Sequence, residues 1–147
     1  MMHMHQSDFN PTSCACIALR KASRVLTAIY DRHLSQHSIT ITQFSLLRNI
    51  KRHASRSLSE LADYMVMDRT SLYRTIAPLE KAGWVKIVAA EKGHMRLASL
   101  TKAGLAKLTA AEPDWQKAEA EIADSLGPAR LFNLHSVSSD IIELAKV

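Results

Sequence analysis

The stretch LSELADYMVMDRTSLYRTIAPLEKAGWV, Leu58 to Val85, constrains the fold more than any other part of the chain. It encodes two short helices with a tight joint. Ser57 and Glu60 form S-x-x-E, a capping box in which the hydroxyl satisfies one orphan N–H and the carboxylate reaches back to another. Leu58, Leu61, Ala62 and Met65 then share one face at helical spacing. The pattern breaks at Val66-Met67, and Asp68 can cap a second helix. There Leu72, Ile76 and Leu79 recur at i, i+4, i+7 and face the core. Gly83 is the expected left-handed stop. Arg69, Thr70, Ser71, Tyr73 and Arg74 gather at the start of the second helix. A helix pair whose second member is polar and basic at its N-terminal end suits a helix lying in a DNA major groove.

Length and charge narrow the class. At 147 residues the chain fits one domain with a real core. With only 4 Gly and no G-x-G-x-x-G or Walker pattern, a phosphate-cradling loop is excluded. There is no apolar run of 18 residues for a membrane span, and MMHMHQSDFNPTS lacks the apolar core of a secretory signal. The expectation is a cytoplasmic protein. Net charge is +5, and from Arg48 to Lys102 there are 11 Lys/Arg against 5 Asp/Glu. The positive charge therefore sits around the helix pair, as a phosphate footprint requires.

Residues 1–12 read as a loose N-terminus, with Met4 and Phe9 able to dock on a partner subunit. His3 and His5 are too few ligands for a metal site. Residues 13–37 read as one long helix with the stripe Ala18, Ala22, Val25, Leu26, Ile29, His33 and Leu34. His33 and His37, at i, i+4, suit capping or burial better than a metal, since no acidic or cysteine partner stands at helical spacing. Thr40 and Gln43 form a second capping box and open a helix from about Thr42 to His53, with Phe44, Leu47 and Ile50 as its core face. Pro78 is expected to kink the second helix of the pair without breaking it.

After Gly83 the period changes to two. Val85, Ile87 and Ala89 make one strand face. Met95, Leu97 and Ser99 alternate with Arg96 and Ala98 in a second strand, across a turn at Glu91-Lys92-Gly93-His94. The hairpin tip carries Lys92, His94 and Arg96, and a basic tip beside a basic helix is a winged helix. Thr101 caps a helix in which Leu108, Ala111, Trp115, Ala118, Ile122 and Leu126 form a narrow seam for another helix, with Pro113 kinking or splitting it. Glu112 to Asp124 holds five acids and one Lys, which disfavours contact with DNA. Gly127-Pro128 ends that helix and opens a last one, where Leu131, Leu134, Ser138, Ile141 and Ala145 continue the rhythm. The fold class expected is mainly α with a small β-hairpin wing: a winged helix-turn-helix lobe at 38–100, and a helical dimerisation region built from 13–37 and 101–147. Two recognition helices on a two-fold axis would read a pseudopalindrome.

The order of elements, the block above and SLTKAGLAKL behind it resemble the MarR family of transcriptional regulators. The likeness spans roughly residues 14–145, and ITITQFSLL, Ile39 to Leu47, resembles the family's segment before the helix-turn-helix. The resemblance implies a single MarR-like domain over 1–147. It also implies a homodimeric repressor with no cofactor and no enzymatic activity, released from double-stranded DNA by a small ligand or oxidant. The DNA-binding residues expected are Arg69, Thr70, Ser71, Tyr73, Arg74, Lys92, His94 and Arg96. The family wing usually carries Asp-x-Arg before the second strand, and those places hold Lys92 and His94 here.

Cys14 and Cys16 open the first helix. Residues two apart on a helix do not face each other, so the bland reading is two small apolar residues near a helix end. The sharper one is a redox sensor, since a helix N-terminus or a nearby guanidinium depresses a thiol pKa. Cys16-Ile17-Ala18-Leu19, with Tyr30 beyond, is similar to the organic-hydroperoxide-sensing branch of the family. That likeness implies Cys16 as the oxidised sensor and Tyr30 as its bond from the partner subunit; a further sensor-side tyrosine falls on Arg20. Without redox sensing, the signal would be a small aromatic or amphipathic acid between the dimer helices and the DNA-binding lobe. A thiol enzyme lacks an orienting acid beside its scattered histidines. A protein-interaction adaptor on a winged-helix scaffold leaves the clustered Lys and Arg unexplained.

Overall fold

The structure, a computed structural model, describes residues 14–53, 56–91, 93 and 95–146. The elements run α1 (Ala15–Leu34), α2 (Ile41–Arg52), α3 (Leu58–Tyr64), α4 (Arg69–Lys81), β1 (Val85–Ala89), β2 (Arg96–Leu100), α5 (Lys102–Leu126) and α6 (Pro128–Glu143). This is the winged helix-turn-helix order expected from the sequence. The loose segment 1–12, with Met4, Phe9, His3 and His5, lies outside the described residues, as do Lys92 and His94 of the hairpin tip.

Local chemistry sets most boundaries. Thr40 caps α2 with both halves of its capping box formed: Gln43 N–H donates to Thr40 Oγ1, and Thr40 N–H to Gln43 Oε1. Ser57 caps α3 by accepting from Glu60 N–H at 3.1 Å. The reciprocal half expected there is not formed. The Glu60 carboxylate instead accepts from the Ser57 hydroxyl at 3.2 Å, and Ser57 forms an isolated antiparallel bridge to Leu97. The first helix ends earlier than expected. After Leu34 the chain tightens into a 3-10 turn at Ser35–His37, closed by Ser38 N–H on Ser35 O with Ser38 left-handed at φ +56°. Between α3 and α4 the joint turns at Val66, whose φ of +52° is an unusual place for a β-branched residue and stores strain of about 1–3 kcal/mol.

The core lies between the helix pair, α2, the hairpin base and α5. Leu72, Ile76 and Leu79 of α4 are fully buried with Phe44, Leu46, Leu47 and Leu61. Each such side chain contributes about 1.5–3 kcal/mol of burial free energy, which holds α4 with its polar start outward. Neither Pro78 nor Pro113 splits its helix.

One strand boundary differs from the expectation, at Met95. In the hairpin, Val85 pairs with Leu100, Ile87 with Ala98 and Ala89 with Arg96, so the inward face of β2 is Ala98 and Leu100. The alternation Met95-Leu97-Ser99 marks the other face, and Met95 precedes the strand and is exposed. The small Ala98 suits the close side, because its N–H bonds Arg56 O at 3.2 Å and draws the hairpin against the α2–α3 link. In α5, Leu108, Ala111, Ala118 and Ile122 are buried within the protomer, where the helix packs on α1 and α2. The seam expected to take another helix has α1 and α2 of the same protomer against it. α6 differs: none of its residues is buried.

Candidate nucleic-acid interface

α4 begins at Asp68, whose carboxylate accepts from Ser71 N–H at 2.7 Å and from the Ser71 hydroxyl at 3.0 Å. Those two bonds, the backbone one first, hold the Asp68 carboxyl below its usual range. With its first turn fixed this way, α4 presents Arg69, Thr70, Tyr73 and Arg74 to solvent. Arg69 and Tyr73, at i, i+4, lie on one side, and Thr70 and Arg74 lie beside them. Ser71 is half-buried and gives its hydroxyl to the cap.

Arg69 and Tyr73 share a cleft of about 300 Å³ with Arg96 and Met95 from the hairpin and with Ser57 and Ser59 from the start of α3. Folding thus brings together residues from three elements. The Arg69 guanidinium is tied to Ser59 Oγ at 2.5 Å, across the joint of the helix pair. Neither Ser57 nor Ser59 was singled out for this role from the sequence. The signal for Ser59 lay in its place in the first turn of α3, where exposed hydroxyls and N–H groups suit a phosphate. The cleft is edged by guanidinium, hydroxyl and phenol donors, which is the chemistry of a sugar–phosphate backbone beside base edges.

A family model, the MarR family, matches residues 39–87. The transcriptional regulator MosR of M. tuberculosis in complex with DNA is 32% identical, with a TM-score of 0.80 over 92% of this chain and 100% of that one. MosR in a second crystal structure is also 32% identical, with a TM-score of 0.73 over 93% of this chain and 96% of that one. The chain belongs to the MarR family. A mutant MarR of E. coli complexed with operator DNA, 21% identical with a TM-score of 0.77 over 84% of this chain and 90% of that one, shares the fold. No curated protein matches the chain.

In this MarR-family chain the acidic stretch of α5 turns inward on α1. Arg32 and His33 both meet Glu121, with His33 Nε2 at 2.8 Å, and His37 Nε2 lies 2.6 Å from Asp114. Both histidines therefore have carboxylate partners, supplied by a helix about eighty residues away rather than at helical spacing. Arg32 and His33 hold the Glu121 carboxyl low, and His37 with Lys117 does the same for Asp114. Among the described residues no group of three or more His, Cys, Asp or Glu could hold a metal ion, and no helix is long and apolar enough to cross a membrane.

The candidate sensor residues are far apart within the protomer. Cys14 and Cys16 are exposed free thiols at the start of α1. Tyr30 lies fourteen residues on, about 21 Å along the helix at 1.5 Å per residue. Its hydroxyl donates to the Glu119 carboxylate, and burial together with that bond pushes its pKa up. Tyr30 also sits where two clefts meet. One, about 260 Å³, is lined by Phe44, Arg48, Trp115 and Glu119; the other, about 340 Å³ and largely apolar, runs between Leu19 and Leu26 of α1 and Leu134 of α6.

Proposed function

We propose that this MarR-family chain is a sequence-specific, DNA-binding transcriptional regulator that works as a homodimeric repressor and acts by binding, without enzymatic activity. One observation carries the reading: Arg69 and Tyr73 of α4 and Arg96 of the hairpin converge on one exposed cleft beside the start of α3. α4 would lie in the major groove with Arg74 toward the bases, and Arg69 and Thr70 would fix the register on the backbone, while Ser71, whose N–H and hydroxyl both donate to Asp68, serves the cap rather than a phosphate. The hairpin, with Arg96 and the tip residues Lys92 and His94, would reach the flanking phosphates. MosR and MarR, both solved on DNA, support the reading by family and fold.

The dimer is supported by what the protomer leaves uncovered. Phe132, Val137, Ile141, Ile142 and Leu144 at the C-terminal end, and Ile17, Leu19 and Val25 on α1, are exposed. Apolar surface of that extent at both ends of a chain marks a protein interface. The dimerisation region is then α1 and α6, with α5 as the strut between them and the DNA-binding lobe. A small aromatic or amphipathic ligand in the clefts at Tyr30 would act between strut and lobe, and the site of action would be the cytoplasm.

Titration of the chain onto duplex from upstream of its own coding sequence tests this reading. The expected outcome is saturation at two chains per inverted repeat, with a free-protein mass of twice 16.4 kDa. A monomer, or indifference to the repeat, would count against it.

The exposure of both thiols at the start of α1 favours a second, thiol-based reading. Cys16 would take one oxygen from an organic hydroperoxide, becoming a sulfenic acid and releasing the alcohol. Hydroperoxide should then release DNA from the wild type and not from Cys16→Ser. Equal release from both would remove Cys16 as the sensor.

A further inference from the structure

Three cations of the positive run lie away from the cleft at α4. Arg48, Lys51 and Arg52 stand at i, i+3 and i+4 along the last turns of α2, so their side chains share one side of the helix. With Leu108, Glu112 and Pro113 of α5 they line a groove of about 620 Å³. None of them borders the cleft formed by Arg69, Tyr73 and Arg96.

Their charge is only partly offset, by Glu112 in the same lining. Among the described residues no carboxylate forms an ion pair with Arg48, Lys51 or Arg52, whereas Arg32, His33 and His37 of the α1 region all have one. The dipole of α2 favours cations in its last turn, which accounts in part for Lys51 and Arg52. It does not account for Arg48, a full turn earlier. The Arg48 guanidinium is held 4.1 Å above the Trp115 ring, and that ring is stacked on the buried Phe44 at 5.6 Å. A guanidinium anchored to the core in this way loses less freedom when it binds an anion than a free one would. Opposite the cations α5 presents a mixed wall, the buried Leu108 and Pro113 with the polar Thr109 and Gln116. Glu112 contributes one negative charge, leaving three cations against one carboxylate.

A singly charged acid would leave one of these cations unmatched. We propose that the groove between α2 and α5 binds a small oxyanion of two or more charges, a phosphate monoester or a di- or tricarboxylate. The Arg48 and Arg52 guanidinium groups would grip the oxygens in paired hydrogen bonds, and Lys51 would add a point charge.

Calorimetric titration of the full chain at constant ionic strength tests this, with glycerol phosphate, citrate and benzoate as probes. Saturable binding of glycerol phosphate or citrate is expected, with benzoate at least roughly tenfold weaker. A response to glycerol phosphate alone would identify a phosphate ester, and a response to citrate alone a polycarboxylate. The double variant Lys51→Ser with Arg52→Ser should lose at least about tenfold in affinity, and Glu112→Gln should gain, a change a merely structural role would not produce. Absence of saturable binding by both polyanions, equal affinity for benzoate, or an unchanged double variant would overturn the proposal. The double variant should keep its affinity for duplex DNA. A fall in DNA affinity matching the loss of polyanion binding would assign these cations to the DNA footprint and overturn the proposal too. A chain that binds the polyanion but no duplex would sink the DNA-binding reading and leave this one standing.

Discussion

Arg74→Ala should weaken binding to the operator by roughly 1–3 kcal/mol, a loss of about 5- to 150-fold, and relax specificity at one base pair. The expectation follows from how the two arginines of α4 are held. Arg69 is tied to Ser59 across the helix joint, which would make it a positioning contact at the edge of the cleft. Arg74 is exposed one turn further on, and no side-chain hydrogen bond or ion pair holds it among the described residues. Its guanidinium is free to meet a guanine edge. Because Arg74 is exposed, its truncation should change stability by no more than about 0.5 kcal/mol, so the loss would be of contact rather than of fold. A mobility-shift titration at fixed salt, with base-substituted duplexes, measures both effects. Unchanged affinity would remove Arg74 from the interface. A uniform loss over all duplexes would make it a phosphate contact.

Gly104→Ala should destabilise the protein by about 2 kcal/mol or more, lowering the melting temperature by roughly 5–10 °C. Gly104 is buried in the first turn of α5. A Cβ there would lie 1.9 Å from the Trp84 carbonyl oxygen and 2.8 Å from its carbon. Helix propensity alone would favour alanine by about 1 kcal/mol. The clash outweighs that gain, because the obstructing atoms are backbone and are themselves engaged. Trp84 O accepts from Thr101 N–H at 3.1 Å, and the Thr101 hydroxyl donates to Gly83 O and accepts from Gly104 N–H. These residues fasten the base of the hairpin to the start of α5. The variant should therefore loosen the wing as well, and lose DNA affinity along with stability. A thermal melt followed by circular dichroism measures the main effect, and an unchanged or raised midpoint would contradict it.

The sequence carried the local features of this fold well. The caps at Thr40, Ser57, Asp68 and Thr101, the left-handed Gly83 and Gly127, and the buried face Leu72-Ile76-Leu79 all depend on residues within a few positions of one another. What was hidden depends on partners distant in the chain. An apolar seam does not say which helix fills it, so Leu108 to Ile122 called for a helix partner without naming α1 and α2, which pack there. Strand alternation does not say which face is inward when one face offers Leu97 and the other Ala98; the register with β1 decides. Charge density along the chain likewise merged two groups of cations that the fold separates, Arg69 with Arg96 at one cleft and Arg48, Lys51 and Arg52 at another. The acids of α5 carried no signal for His33 and His37, since the pairing exists only once the two helices lie together. The candidate site was legible in α4, where helical spacing alone places the polar side chains. It was less so in Ser57 and Ser59, which become part of the cleft only through the turn at Val66.

The most direct measurement of the central claim is the dependence of duplex affinity on salt. If α4, the start of α3 and the hairpin meet the sugar–phosphate backbone in each of two protomers, log affinity should fall linearly and steeply with log salt, at about 0.9 per phosphate neutralised. Arg69→Ala should make that slope shallower by about 1 for each phosphate contact removed. A flat dependence, with affinity unchanged from low to physiological salt, would contradict the account of this surface as a nucleic-acid interface.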